Sequence, residues 1–358
     1  MMELGSLRIG YLPNSLSLDA PGDRRRFVHY AKMRSLQFEI ADPAKKYDIV
    51  ILSERADLSV WSRYHGGVLV YDLIDSYLAI PRTDVKGCLR GLAKYATRQS
   101  RYPHFNHWKA IELMCRHSSA VICSTDEQKR DISRFCANVH VILDSHNGVT
   151  RTIKRQYEPN RPFRLVWEGL PQTLGSLKVI QRVLARISAR YPIELYLLTD
   201  LEYFSFLGRY GRTSTLRVAR QIFPNVKLIE WKEESAADII CSCDLAIIPI
   251  DLSDPFAYGK PENKLVLFWR MGMPVLTSAT PAYIRAMSAA GLSMTCATTE
   301  EWEAALEKYI TDEFARRVVG KSVLKFVNSH YTELELLRKW DAVFQSVFPL
   351  TVTSPACR

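Results

Sequence analysis

Lys260 and Lys264 bracket Pro261 and Asn263 in the stretch "GKPENKLVLFWRMGMPV" (259–275), where a polar turn gives way to an apolar helical run. Pro suits the first turn of a helix, so the spacing predicts a helix starting near Pro261 to Asn263. The first N–H groups of a helix have no partner inside it, and its dipole adds positive charge at that end. With the two lysines alongside, this start reads as an anion site that a diphosphate fits. A solvated helix entry is the alternative reading of the same spacing. Gly272 offers the left-handed residue that a sharp stop needs, so that Pro274 can enter the next apolar run, "MPVLTS".

Two further groups carry chemistry. "YDLIDSY" sets Asp72 and Asp75 directly after an apolar run. A carboxylate there would orient or deprotonate a substrate hydroxyl, whereas an N-cap or an ion-pair partner is the structural alternative. Arg24, Arg25 and Arg26 stand at a helix start, where they oppose the dipole unless an anion is present.

The elements that must position these groups follow from hydrophobic patterning. At 358 residues the chain accommodates two ordinary domains. Short apolar runs, "LRIGYL", "YDIVILS", "GVLVYDLID", "AVICST" and "VHVILD", alternate with helical patterns such as "RRRFVHYAKMRSL" (24–36). Such alternation predicts a parallel sheet covered on both faces. The polar segment "SHNGVTRTIKRQYEPNRP" (145–162) breaks it and reads as a linker. A second alternation follows in "FRLVWEG", "SLKVIQRVLARISARY" (176–191), "IELYLLTD", "NVKLIEW", "DLAIIPI" and "MPVLTS", before a long helical end. The expected fold class is α/β, with two doubly wound domains facing a central cleft. The expected boundaries are 1–149, 150–330 and a C-terminal helix, 331–358, packing back on the first domain. Ligands of such sheets sit at loops leaving the carboxyl ends of strands.

Composition narrows the function classes. Hydrophobic residues at 47% and charged residues at 24% exclude disorder and coiled coil. No apolar run approaches the roughly 20 residues of a membrane span. The start lacks the apolar core of a signal peptide, so a cytoplasmic protein is expected. The eight cysteines form no CxxC pair, and the Cys241–Cys243 spacing is poor for zinc, so no metal is expected.

A net charge of +10 with pI near 9.2 calls for an anionic partner. The excess is spread evenly: residues 1–150 hold 21 basic and 16 acidic side chains, the remainder 27 and 22. With no zinc-finger spacing, RNP-like aromatic string or basic tail, nucleic acid is not expected. Arg82, Lys86, Arg90, Lys94 and Arg98 recur every four residues, interleaved with Leu89, Leu92 and Tyr95. That stripe suits an anionic membrane surface, which makes a peripheral location on its inner face an expectation; an ordinary surface helix is the alternative.

In order along the chain, "HNGV", "CDLAIIPI" and "NKLVLFWRMGMPVLTS" resemble the Pro-Asn-Gly-Val turn, the Asp-apolar-Pro strand and the Asn-Lys-Leu helix with Gly-x-Pro-Val of GT-B glycosyltransferases. The resemblance is to the retaining type with a Glu-x7-Glu element. It implies that the second domain holds a nucleotide-diphosphate sugar and the first an acceptor, with no other cofactor and no metal. Aligned on Gly272 and Pro274, the two family glutamates fall on Gly259 and Leu267, and the family's Gly-Arg reads Gly169-Leu170. The lysine that follows in the family falls on Gly175, with Lys178 a turn later.

The resemblance therefore implies donor binding by Gly169, Lys260, Glu262, Asn263 and Lys264, with Glu262 substituting for the missing ribose carboxylate. Acceptor or anion binding falls to Asn14, Arg24, Arg25 and Arg26 in "PNSLSLDAPGDRRRF", and catalysis to Asp72 and Asp75. The expected function is a metal-independent, hexosyltransferase-type glycosyltransferase acting on a glycan or lipid-linked acceptor in surface polysaccharide biosynthesis. The alternatives are a sugar-nucleotide epimerase on the same fold and a non-catalytic subunit of a glycan-assembly complex.

Overall fold

A computed structural model describes residues 4–81, 85–97, 100–103, 106–206 and 210–348; for residues 85–88, 92, 94, 205, 206 and 210 it describes the backbone alone. The chain divides into two compact units, one comprising Met1–Ser145 and Glu333–Arg358, the other His146–Thr332.

The first unit is built on a six-stranded parallel sheet. Its strands are β1 (Ile9–Leu12), β2 (Phe38–Ile40), β3 (Ile49–Leu52), β4 (Val68–Asp72), β5 (Ala120–Cys123) and β6 (Val139–Val141), in the order β2-β1-β3-β4-β5-β6. Every residue of β3 and β5 is buried. Helices over both faces leave these strands no wet side, which is why they read as unbroken apolar runs. The helix Glu333–Val347 belongs to this unit. Trp340 and Phe344 stack on Tyr30 at centroid distances of 5.4 and 5.5 Å, and Asp341 pairs with Arg34. Glu333 lies 2.5 Å from His29 Nε2, one helical turn after the arginine cluster.

The second unit repeats the plan with β7 (Phe163–Glu168), β8 (Ile193–Thr199), the antiparallel hairpin β9 (Glu202–Phe206) and β10 (Tyr210–Ser214), then β11 (Val226–Glu230), β12 (Leu245–Ile248), β13 (Val275–Ser278) and β14 (Thr295–Cys296). The main sheet is parallel in the order β11-β8-β7-β12-β13-β14. The fold class is thus α/β with two doubly wound sheets, as the alternation predicts. Strands β2, β9, β10 and β14 are additions that short or mixed polar sequences did not signal. The 176–191 stretch is also divided: a 3-10 run over Pro171–Ile180 precedes the helix Gln181–Ser188.

The helix Asn263–Arg270 starts within the predicted residues and stops as Gly272 requires. Gly272 has φ +70, its N–H donates to Trp269, and the Met273 N–H donates to Phe268. This is the paired closure that satisfies the last carbonyls of a helix, and it lets β13 begin three residues later. The helix packs against Glu313–His330 at Gly320. A methyl group there would stand 2.4 Å from the Tyr157 hydroxyl and 2.5 Å from the Gly272 carbonyl. Gly320→Ala is therefore expected to destabilise by about 1–3 kcal/mol although alanine is the better helix former. A urea midpoint equal to wild type would show that the two helices separate at no cost. Among the described residues no helix is long and apolar enough to cross a membrane.

Candidate functional site

In the second unit strand order reverses between β7 and β12, the place where doubly wound sheets open a crevice at their carboxyl edge. β7 ends there at Glu168, followed by Gly169. The helix Asn263–Arg270 begins with Glu262 as its N-cap residue, whose side chain makes no capping hydrogen bond. From the first turn Lys264 reaches back so that Nζ donates to the Glu168 carbonyl at 2.8 Å, 5.2 Å from the centre of the Trp167 ring. A Cβ on Gly169 would stand 2.4 Å from that ammonium, so the bare glycine lets the lysine lie across the strand end. Lys260 is half-buried, and its ammonium has no hydrogen bond or ion pair among the described residues. Gly169, Lys260, Glu262, Asn263 and Lys264 are thus placed around one helix start and one strand end.

The positions of the two family glutamates are closed off. Gly259 is buried, and Leu267 is 1% exposed inside the core. Tyr283 is a neighbour that sequence reasoning missed. Its phenol is pushed up first by burial and then by the charges of Glu262 and Glu168. Lys178 lies in the last turn of the 3-10 run. A cavity of about 330 Å³ also opens at this unit's carboxyl edge, beside Asp251, Ser253, Ser278 and Thr299. Several of its polar atoms are already engaged: Ser278 Oγ accepts from the Ile250 N–H at 2.8 Å, and Asp251 Oδ1 accepts from the Ser253 hydroxyl at 2.6 Å.

The first unit gathers its polar groups at the corresponding edge. Asn14 follows β1, and both its backbone N–H and its Nδ2 donate to Asp23 Oδ1 at 2.7 and 3.1 Å. Arg24 Nε donates to the Asp19 carbonyl at 3.0 Å. Arg26 is fully buried: Nη2 and Nε donate to the two oxygens of Asp72 at 2.6 and 2.7 Å, and Nη1 donates to the Ile142 carbonyl at 2.9 Å and Asp144 at 3.1 Å. Burial opposes the guanidinium charge, but Asp72 and Asp144 outweigh it and hold the group above its ordinary pKa.

Two expectations change here. Both oxygens of Asp72 are committed to Arg26, so it acts as a counter-ion, although burial outweighs Arg26 and pushes its carboxyl above the usual carboxylate range. Arg26 spends its donors inside the fold and is closed to an incoming anion. The 24–36 helix divides at this point, into Pro21–Arg24 and Phe27–Met33, because the backbone at Arg26 turns out of the helical region to aim its side chain inward.

Asp75 keeps a different company. Its backbone N–H donates to the carboxylate of Glu54, which follows β3. Burial, then the Asp75 charge, push the Glu54 carboxyl well above the usual carboxylate range. Sequence reasoning missed Glu54, although the signal was present: it directly follows the apolar run "YDIVILS" at the edge where ligands gather.

Of the basic stripe, Arg82 and Arg98 lie outside the described residues, as do the side chains of Lys86 and Lys94. Arg90 is on the helix Val85–Ala96 and packs over Tyr77 at 5.1 Å, donating to its hydroxyl at 3.2 Å. Leu89 and Tyr95 on the same helix are 61% and 46% exposed.

No protein-family model matches the sequence, and no curated protein matches it. Solved structures do. WaaG, a glycosyltransferase involved in lipopolysaccharide biosynthesis, aligns with a TM-score of 0.55 at 12% identity over 94% of this chain and 98% of its own. A glycosyltransferase from Rickettsia africae aligns at 0.57 and 9% identity over 95% of this chain and 97% of its own. S. aureus TarM, in a mutant complex with alpha-GlcNAc-glycerol and UDP, aligns at 0.53 and 10% identity over 83% of this chain and 55% of its own. This chain therefore spans about half the length of TarM. These likenesses show the fold: the chain has the GT-B fold of these enzymes.

Proposed function

We propose that the protein is a glycosyltransferase that moves a sugar from a nucleotide-diphosphate donor to a glycan or lipid-linked acceptor in surface polysaccharide biosynthesis. The observation that carries this reading is Lys264: its ammonium is held at the end of β7, over Gly169, where the sheet order reverses and the helix Asn263–Arg270 begins. As the bond from sugar to diphosphate breaks, negative charge grows on the leaving phosphate. Lys264, Lys260 and the helix start stabilise that charge more than they stabilise the intact donor, and this difference is what accelerates the step. These groups supply the positive charge in this reading, with no metal assigned a role. Asp75, backed by Glu54, is the remaining carboxylate for orienting an acceptor hydroxyl. The exposed Leu89 and Tyr95 beside the basic stripe support docking on an anionic membrane face.

A second reading has its own observation. Buried Gly259 and Leu267 at the family's carboxylate positions favour a subunit that kept the fold without the chemistry. Binding separates the two. In a thermal-shift series with UDP, GDP, ADP and CDP, one nucleotide is expected to raise the melting temperature, since ligand at about 100 times its Kd adds about 2.7 kcal/mol. If none of the four shifts the transition, the transferase reading fails and the subunit reading stands.

A further inference from the structure

The cavity of about 330 Å³ in the second unit has no task in the proposed transfer. It opens where three neighbouring strands end. Ile250 and Asp251 follow β12, Ser278 closes β13, and Thr299, Glu300 and Trp302 begin the helix Thr299–Thr311 after β14. Val179, in the 3-10 run Pro171–Ile180, adds to the wall. Gly169, Lys260, Glu262, Asn263 and Lys264 do not line it, so it is a separate place on the same sheet edge. Ligand pockets run from roughly 300 to 1,000 Å³, and one of this size admits a single small molecule.

The wall offers acceptors and donors together. The carboxylate of Glu300 is exposed and has no hydrogen bond or ion pair among the described residues. Asp251 Oδ1 accepts from the Ser253 N–H and hydroxyl at 2.9 and 2.6 Å, while Oδ2 accepts from none of the described residues. Ser278 is 1% exposed: its Oγ accepts from the Ile250 N–H at 2.8 Å, and its own proton has no acceptor among the described residues. The Thr299 hydroxyl is unpaired in the same sense. A buried hydroxyl proton left without an acceptor is costly, and a ligand oxygen in the cavity would supply one.

Charge and shape then select the ligand. Among the described residues no Lys, Arg or His lines the cavity, so an anion would face Asp251 and Glu300 uncompensated. The Ser253 donors hold the Asp251 carboxyl below its ordinary pKa, which keeps that charge in place. An ammonium group would use the two carboxylates and leave the Ser278 and Thr299 protons idle. Hydroxyl groups both donate and accept, and so answer all four side chains. A sugar ring also carries an apolar C–H face, for which Val179, 40% exposed, provides a surface with Ile250 and Trp302.

We infer that this cavity is a binding site for one uncharged pyranose unit, apart from the diphosphate site at Lys264. A subunit without chemistry would hold a sugar here equally, so the site stands or falls separately from the proposed transfer.

Saturation-transfer NMR on the full chain, with the methyl glycosides of glucose, galactose, mannose and N-acetylglucosamine, tests it. At least one glycoside is expected to bind. Glu300→Ala should weaken that binding about tenfold, the scale of losing a hydrogen bond to a charged group. Ala297→Trp, which sets an indole in the cavity wall, should abolish it. Both variants are expected to keep the wild-type melting temperature, because Glu300 has no partner to lose and Ala297 is exposed. Should the indole lower that temperature, Glu300→Ala decides alone. Glucose 1-phosphate and ethanolamine are the charged comparisons, each expected to bind more weakly than the best glycoside. Binding of no glycoside overturns the inference, as does binding indifferent to Glu300→Ala or a preference for either charged compound. Failure of the transferase reading looks different: no nucleoside diphosphate shifts the melting temperature, while the Glu300-dependent sugar site persists.

Discussion

Replacing Lys264 by alanine is expected to reduce nucleoside-diphosphate affinity and donor turnover each by more than about tenfold, the scale of losing one charge-stabilising donor. The fold should survive. The side chain is half-buried and its ammonium donates to the neutral Glu168 carbonyl, a hydrogen bond worth about 1 kcal/mol of stability. Gly169→Ala is the companion experiment, because a methyl 2.4 Å from Nζ must push the ammonium off the Glu168 carbonyl without deleting any charge. If the ammonium's position matters, this variant loses turnover while keeping its melting temperature. Calorimetry on Lys264→Ala showing unaltered nucleotide affinity would remove the residue, and with it the donor site proposed for this edge.

The second large effect is on stability. Arg26→Met should cost about 3–5 kcal/mol, because it strands Asp72 as a buried, uncompensated carboxylate. Asp72→Leu should cost a similar amount, leaving Arg26 with only Asp144 and the Ile142 carbonyl. The double variant is expected to fall closer to wild type than either single one, since buried pairs replaced whole by apolar side chains are often near neutral. Denaturant unfolding of the three variants measures this coupling. The same series decides the catalytic question for Asp72. An Asp72→Asn protein with a wild-type midpoint and abolished transfer would return this residue to the chemistry and defeat its assignment as a counter-ion.

How much could be read in advance depended on whether the signal was local. The helix Asn263–Arg270 is a run of neighbours: proline and polar residues at its start, apolar residues at turn spacing, glycine at its stop. Each of these acts within about one turn, so the positions of Lys260 and Lys264 at the helix start and of Gly272 just past its end follow from the order of residues. Strand β3 was legible for a similar reason, since a strand buried on both faces needs an apolar residue at every place. The hairpin of β9 and β10 was not legible, because short strands that mix polar with aromatic residues, "EYFSF" and "YGRTS", carry no such run.

The same distinction divides the candidate site. Residue order determined the α/β alternation, the two doubly wound sheets and the helix start with its lysines, because periodicity and capping are properties of adjacent residues. Only the tertiary structure decided which charges are available. "RRR" is three equal cations on paper, and folding makes them a carbonyl donor, an unpaired guanidinium and a buried ion pair whose partners lie 46 and 118 residues away. Ion pairing and desolvation depend on distance in space, and a buried charge finds its counter-ion wherever the sheet order brings one. That is why Asp72 was read as a catalyst and Glu54 was overlooked, while Arg25, indistinguishable from its neighbours in the sequence, is the arginine whose Nε finds no partner among the described residues.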